Sequence, residues 1–190
     1  MGKIKIIFSV LFWIIPAFYY SSNSVYDCII SQSNQYLGVV EKGGNNRGFS
    51  DPIFEYKLKS VGWQPGQAWC AYTVKMLLKE CNVPNTITGW SPTSYNKKDV
   101  IYTDGIFLEG FSSKDVLVMS LSYSKFKADK SRYKGIGHTG LVVSLKSTSV
   151  VTLEGNTNDL GARDSRTGDG FYKKKRLLNK NTHITRWAKY

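Results

Sequence analysis

Histidine is scarce in this chain: among 190 residues only His138 and His183 carry an imidazole. No cysteines and histidines stand at zinc-ligand spacing and no glycine-rich phosphate loop is present, so metallohydrolase and nucleotide-binding readings lose their support. Cysteine is nearly as rare. The three are Cys28, Cys70 and Cys81, and an odd count in an exported chain points to a reactive thiol left over from pairing. Internal repeats and low-complexity tracts are missing, and the length suits one domain with a core plus extras. Acidic residues are few, 14 against 26 lysines and arginines, for a formal charge of +12.

What is present begins with an export pattern. Lys3 and Lys5 precede an apolar run from Ile6 to Tyr20, and Ser21-Ser22-Asn23-Ser24 offers small residues for cleavage. Residues 1–24 therefore read as a signal peptide and residues 25–190 as the working domain, periplasmic or extracellular. The run is shorter than the ~20 residues that span a bilayer and Pro16 interrupts it, so an uncleaved membrane anchor is the alternative. Removing Lys3 and Lys5 lowers the charge by two. The remaining surplus suits either a solvated surface or attraction to polyanions, which for an exported protein are anionic wall polymers or a membrane surface before nucleic acid. Lys173-Lys174-Lys175-Arg176 follows Phe171-Tyr172 and precedes Leu177-Leu178, which reads as the edge of a strand and not as a nucleic-acid arm. No nucleic-acid partner is expected, and a monomer is the default.

Periodicity then divides the chain. Residues 25–40 are mixed and read as helical, and Glu41-Lys42-Gly43-Gly44-Asn45-Asn46 opens a loop rich in turn formers. Asp51-Pro52 gives an N-cap followed by proline at the first helical position, and Gly62 stops that helix. After Pro65-Gly66, the residues Trp69, Cys70, Val74, Leu77, Leu78 and Cys81 recur at helical steps. Residues 82–109 are rich in Asn, Thr, Ser, Gly and Pro and are assigned to loops. Beyond them the period changes to short β-branched runs at 115–120, 138–144, 150–154 and 182–187, which is strand behaviour. Helices first and mostly antiparallel strands later make an α+β layout.

Cys70 at the start of a helix carries the chemistry. An ordinary thiol titrates near ~8.5, and the free N–H groups and dipole of a helix N-terminus favour the anion. The same N–H groups are placed to meet a developing oxyanion, with Gln64 or Gln67 as an added side-chain donor. A base within about 3 Å of sulfur is required, and His138, in Gly137-His138-Thr139-Gly140 at the mouth of an apolar strand, is the candidate; His183 has no such context. Glu154 and Asn156 are two apart, and in an extended segment both project from one face, so both are candidates to orient the imidazole. The plainer reading of Glu154-Gly155-Asn156-Thr157-Asn158 is a turn after a strand.

Trp69-Cys70-Ala71, Gly137-His138-Thr139-Gly140 and Glu154-Gly155-Asn156-Thr157-Asn158, in that order, resemble the CHAP amidase/peptidase family of the papain-like NlpC-type superfamily. Glu41 to Asn46 is similar to a stretch that some cell-wall members carry before the nucleophile helix. The resemblance implies a papain-like fold, with N-terminal helices and the nucleophile at a helix N-terminus packed on a mostly antiparallel sheet. It also implies Cys70 as nucleophile, His138 as base and Glu154 with Asn156 as orienting groups in a peptidoglycan hydrolase. Some members bind calcium through acids just before the cysteine. Residues 60–66 hold no carboxylate, so no metal and no other cofactor is expected. The basic segment 120–135 reads as a lid, a wall-polymer contact or a solvated loop.

The leading expectation is an exported cysteine-dependent peptidoglycan amidase or endopeptidase. Two others stand beside it: a non-catalytic wall-binding protein, and a cysteine hydrolase acting on an amide outside the wall.

Overall fold

The computed structural model describes residues 24–158 and 169–190. The export signal expected at residues 1–24 lies almost wholly outside the described residues; among the latter, no helix is long and apolar enough to cross a membrane.

Three helices come first. In α1 (Val25–Asn34), the Ser24 hydroxyl accepts from the Asp27 N–H while the Asp27 carboxylate accepts from the Ser24 N–H, a reciprocal cap that satisfies two orphan donors. In α2 (Pro52–Ser60), Asp51 accepts from the Ile53 and Phe54 N–H groups at 2.7 and 3.1 Å, and Pro52 takes the first position, where it forfeits no helical bond. α3 (Cys70–Glu80) buries Ala71, Val74, Met76, Leu77 and Leu78 and keeps Lys79 and Glu80 at its outer end. Cys28 of α1 and Cys81 at the end of α3 form a disulfide across 53 residues of chain, so Cys70 is the free thiol.

Among the described residues, seven strands form one antiparallel sheet: β1 (Val100–Thr103), β2 (Ile106–Phe107), β3 (Val116–Ser122), β4 (Ile136–Leu145), β5 (Ser149–Thr157), β6 (Gly170–Leu177) and β7 (Thr182–Ala188), in the order β2-β1-β7-β3-β4-β5-β6. The molecule is thus a mixed α+β fold with its helices packed on the sheet. Both faces of β3 are covered, which is why its sequence is a continuous apolar run. Val116 and Val118 join Phe54, Leu58, Trp69, Leu77, Leu141, Leu153 and Phe171 in the larger core. Leu117 and Met119 join Ile101, Val142, Val150 and Ile184 in a smaller one.

The loop expected at 82–109 is more structured than its composition indicates. It holds a 3-10 turn at Ser91–Ser94 and the β1–β2 hairpin, whose two-residue turn is Asp104-Gly105 with φ of 53° and 93°. Positive φ at both positions matches the twist of the flanking strands, the reason such turns favour Asp-Gly. At the other end of the sheet, β6 is an edge strand. Lys173 and Lys175 are exposed along it, and lysines there deter edge-to-edge pairing with other chains.

Candidate active site

The turn before α3 is held from several sides. Trp63 Nε1 donates to the Gln67 carbonyl at 2.8 Å, the Gln67 side-chain oxygen accepts from the Gln64 N–H at 2.9 Å, and the Tyr72 hydroxyl lies 3.0 Å from that same oxygen. The Gln67 carboxamide oxygen is thereby tied into the turn, leaving its NH2 end as the group able to donate outward. Trp69, the residue before the thiol, is fully buried edge-on to Phe49 and Phe54, and its indole N–H donates to Glu41 Oε1 at 2.7 Å. No side chain caps the N-terminus of α3, so its first N–H groups are not consumed by a capping oxygen. Trp63 and Trp69 are core residues, while Trp90 is 40% exposed, beside Gln67, Ala68 and Tyr72.

β5 comes unusually close to this first turn. A Cβ at Gly155 would stand 2.3 Å from Thr73 Oγ1 and 2.6 Å from the Trp69 ring, so only glycine fits between Glu154 and Asn156. The same holds on β4. A Cβ at Gly140 would meet Glu154 Cγ at 2.6 Å, and one at Gly137 would meet Phe126 and Tyr123 at 2.4 and 2.5 Å. Both glycines around His138 therefore clear space for neighbours, one of them the carboxylate that the histidine uses.

His138, only 6% exposed, lies near enough to the Cys70 side chain for that group to raise its pKa, and its Nε2 lies 2.8 Å from Glu154 Oε2. With Nε2 so engaged, Nδ1 is the nitrogen left for sulfur. Glu154 is completely buried and its carboxylate is saturated: Oε1 accepts from Thr152 Oγ1 at 2.5 Å and from Arg176 Nε at 2.6 Å, and Oε2 accepts from Arg176 Nη2 at 2.5 Å. Burial opposes charge on both partners. The neighbouring Cys70 and Glu154 outweigh it at His138, holding the imidazole well above its ordinary 6.5. Burial would raise the Glu154 carboxyl, but Arg176 and then His138 pull it far below the usual glutamate range.

Asn156 goes elsewhere. The β5–β6 register slips between Glu154 and Thr157, and Asn156 has φ of 56°, so the alternation that would set it beside Glu154 is broken. Its amide donates to Asn46 Oδ1 at 2.7 Å and to Glu41 Oε1 at 3.3 Å, which ties β5 to the 41–46 loop instead of reaching the imidazole. Glu41 thus links Trp69 to Asn156. Nearby Asp169 is pushed up to about 6, by burial first and by the Glu41 carboxylate second. His183 is buried with both nitrogens occupied, Nδ1 at 2.8 Å from Thr103 Oγ1 and Nε2 at 2.8 Å from Ser122 Oγ. Burial and Lys134 lower it to about 4, so it is neutral at physiological pH and packs as a strand residue.

Arg176 was not singled out by the sequence, where it ends a run of lysines. The available signal is period two: Tyr172, Lys174 and Arg176 share one side of β6 while Lys173 and Lys175 face water, and an arginine on the inward side of an edge strand asks for a buried partner.

The cluster joins a thiol at a helix start, an imidazole against it and a carboxylate behind, chemically equipped for thiolate attack with proton return. Among known proteins, no family model, no curated protein and no solved structure matches this chain.

Proposed function

We propose that this chain is an exported cysteine-dependent amidohydrolase or peptidase of the CHAP type, with a papain-like arrangement, acting on amide bonds of cell-wall peptides. The observation that carries the reading is the hydrogen bond from His138 to Glu154 beside Cys70, with Cys70 as the first residue of α3.

In the reaction, His138 takes the proton of the Cys70 thiol and the thiolate adds to the amide carbonyl carbon. Free N–H groups at the start of α3 offer hydrogen bonds to the oxyanion. The C–N bond breaks as His138 passes its proton to the leaving amine, and a thioester remains on Cys70. Water, losing a proton to His138, then attacks the thioester; the C–S bond breaks, the acid product leaves and the thiol is restored. Glu154 does not move a proton. It fixes the imidazole and stabilises its positive charge, an effect strengthened by exclusion of water.

Purified sacculi digested with the parent and with Cys70→Ala test this, with mass spectrometry of the released fragments. Activity should vanish in the variant while circular dichroism stays unchanged, and the fragment masses identify the amide cut. Release at the parent rate by Cys70→Ala refutes the assignment. Binding by the parent without any new amine ends favours a wall-binding protein, and turnover only of a non-wall amide moves the substrate outside the wall.

A further inference from the structure

The connection between β3 and β4 builds a second concave site. The Tyr123 N–H bonds to the Gly135 carbonyl at 3.0 Å and closes the loop, and successive backbone bonds from Phe126, Lys127, Asp129, Arg132 and Gly135 fold it into tight turns. Together with Lys180, Asn181 and His183 it borders an open recess of about 550 Å³. Five cations line it, Lys127, Lys130, Arg132, Lys134 and Lys180, against two carboxylates, Asp104 and Asp129.

Both carboxylates are already spent. Asp104 holds Lys134 at 2.6 Å and Asp129 holds Arg132 at 3.4 Å. These pairs fix two cations in the wall, and Arg132 is further pinned over the Phe126 ring at 4.2 Å and by its bond to the Ile136 carbonyl at 3.2 Å. Lys127, Lys130 and Lys180 have no acidic partner among the described residues. All three line the same recess.

We propose that this cavity binds the phosphodiester groups of an anionic polyol-phosphate polymer. Paired and unpaired cations around a recess suit successive phosphates of a flexible chain. A bilayer surface is disfavoured because a plane of headgroups does not enter a concavity. Gly135 lies three residues before His138 on the same run of chain, about 10 Å along an extended strand. A polymer held there keeps the Cys70 site at the surface that carries it. The proposal stands independently of the hydrolytic reading.

Isothermal titration of the purified protein with poly(glycerol phosphate) tests it, using K127E/K130E/K180E and, as a control of equal charge change on other surfaces, K173E/K175E/K189E. The cavity variant should bind about tenfold or more weakly, the control within about twofold of the parent, and parent binding should weaken as salt rises. In parallel, amide NMR of the unaltered protein titrated with the same polymer should move Lys127, Lys130, Lys180 and Asn181 first, an outcome that does not depend on any variant folding. Equal losses in both variants, an unaffected cavity variant, or shifts centred elsewhere overturn the proposal. So does tighter binding to phosphatidylglycerol vesicles than to the polymer through the same lysines, which would assign the site to lipid headgroups.

Discussion

Arg176 grips Glu154 with two hydrogen bonds, from Nε to Oε1 at 2.6 Å and from Nη2 to Oε2 at 2.5 Å. One buried anion therefore serves two cations, the guanidinium and the His138 imidazole. A bidentate fork sets direction as well as charge, so Glu154 presents Oε2 to His138 in one orientation.

Replacing Arg176 with Met should destabilise the protein by about 3 kcal/mol at pH 7, because it strands a buried carboxylate. Glu154 is held far below 4.5 in the parent, so its stabilising contribution is complete above that pH and drains away on acidification. The gap between parent and variant should therefore hold above about pH 4.5 and narrow only as the pH falls below it, as read by urea denaturation. A gap independent of pH would mean the loss comes from packing.

Replacing Glu154 with Gln should lower the His138 pKa, since burial then opposes only the effect of Cys70. NMR titration of the imidazole reads this directly. Hydrolysis should fall by roughly 10²- to 10⁴-fold. The alkaline limb of the pH–rate profile should move to lower pH, because the imidazolium is lost sooner as pH rises. An unmoved limb would show that Glu154 does not support the charge.

Gly155→Ala should cost about 2 kcal/mol or more and disturb the first turn of α3, because the new methyl meets Thr73 and the Trp69 ring at 2.3 and 2.6 Å. Gly110→Ala, with nothing within 4 Å, is the matched control and should be nearly neutral. Thermal melts of the two variants check the contrast.

Cys28→Ser with Cys81→Ser opens a closure of 53 residues and should cost about 4 kcal/mol in the chain-entropy account of a disulfide. Denaturant titration measures it. The Cys70 and His138 geometry should survive under native conditions, because α3 keeps its packing on β4 and β5.

Much of this molecule is legible in its sequence because local chemistry and fold agree. Asp51-Pro52 starts a helix as a capped proline start should, the Trp69 to Cys81 spacing is that of a helix with one buried face, and the alternating apolar strands appear where expected. Less legible were features set by neighbours distant in the chain. Asp104-Gly105 marks a hairpin, yet the polar composition around it hid two short strands. Asn156 lost its inferred role to a single left-handed residue, since one change of φ sign cancels a period-two argument. Arg176 becomes informative only once β6 lies beside β5, and the partner of Cys28 only once α1 packs on α3.

The cross-link between α1 and α3 also makes the protein countable. Two of its three sulfurs are locked together, so an alkylating reagent applied without reductant has a single target, Cys70. One added mass per molecule then counts one reduced, reachable Cys70 thiol, and the fraction left unlabelled measures how much of a preparation has that thiol oxidised or shielded.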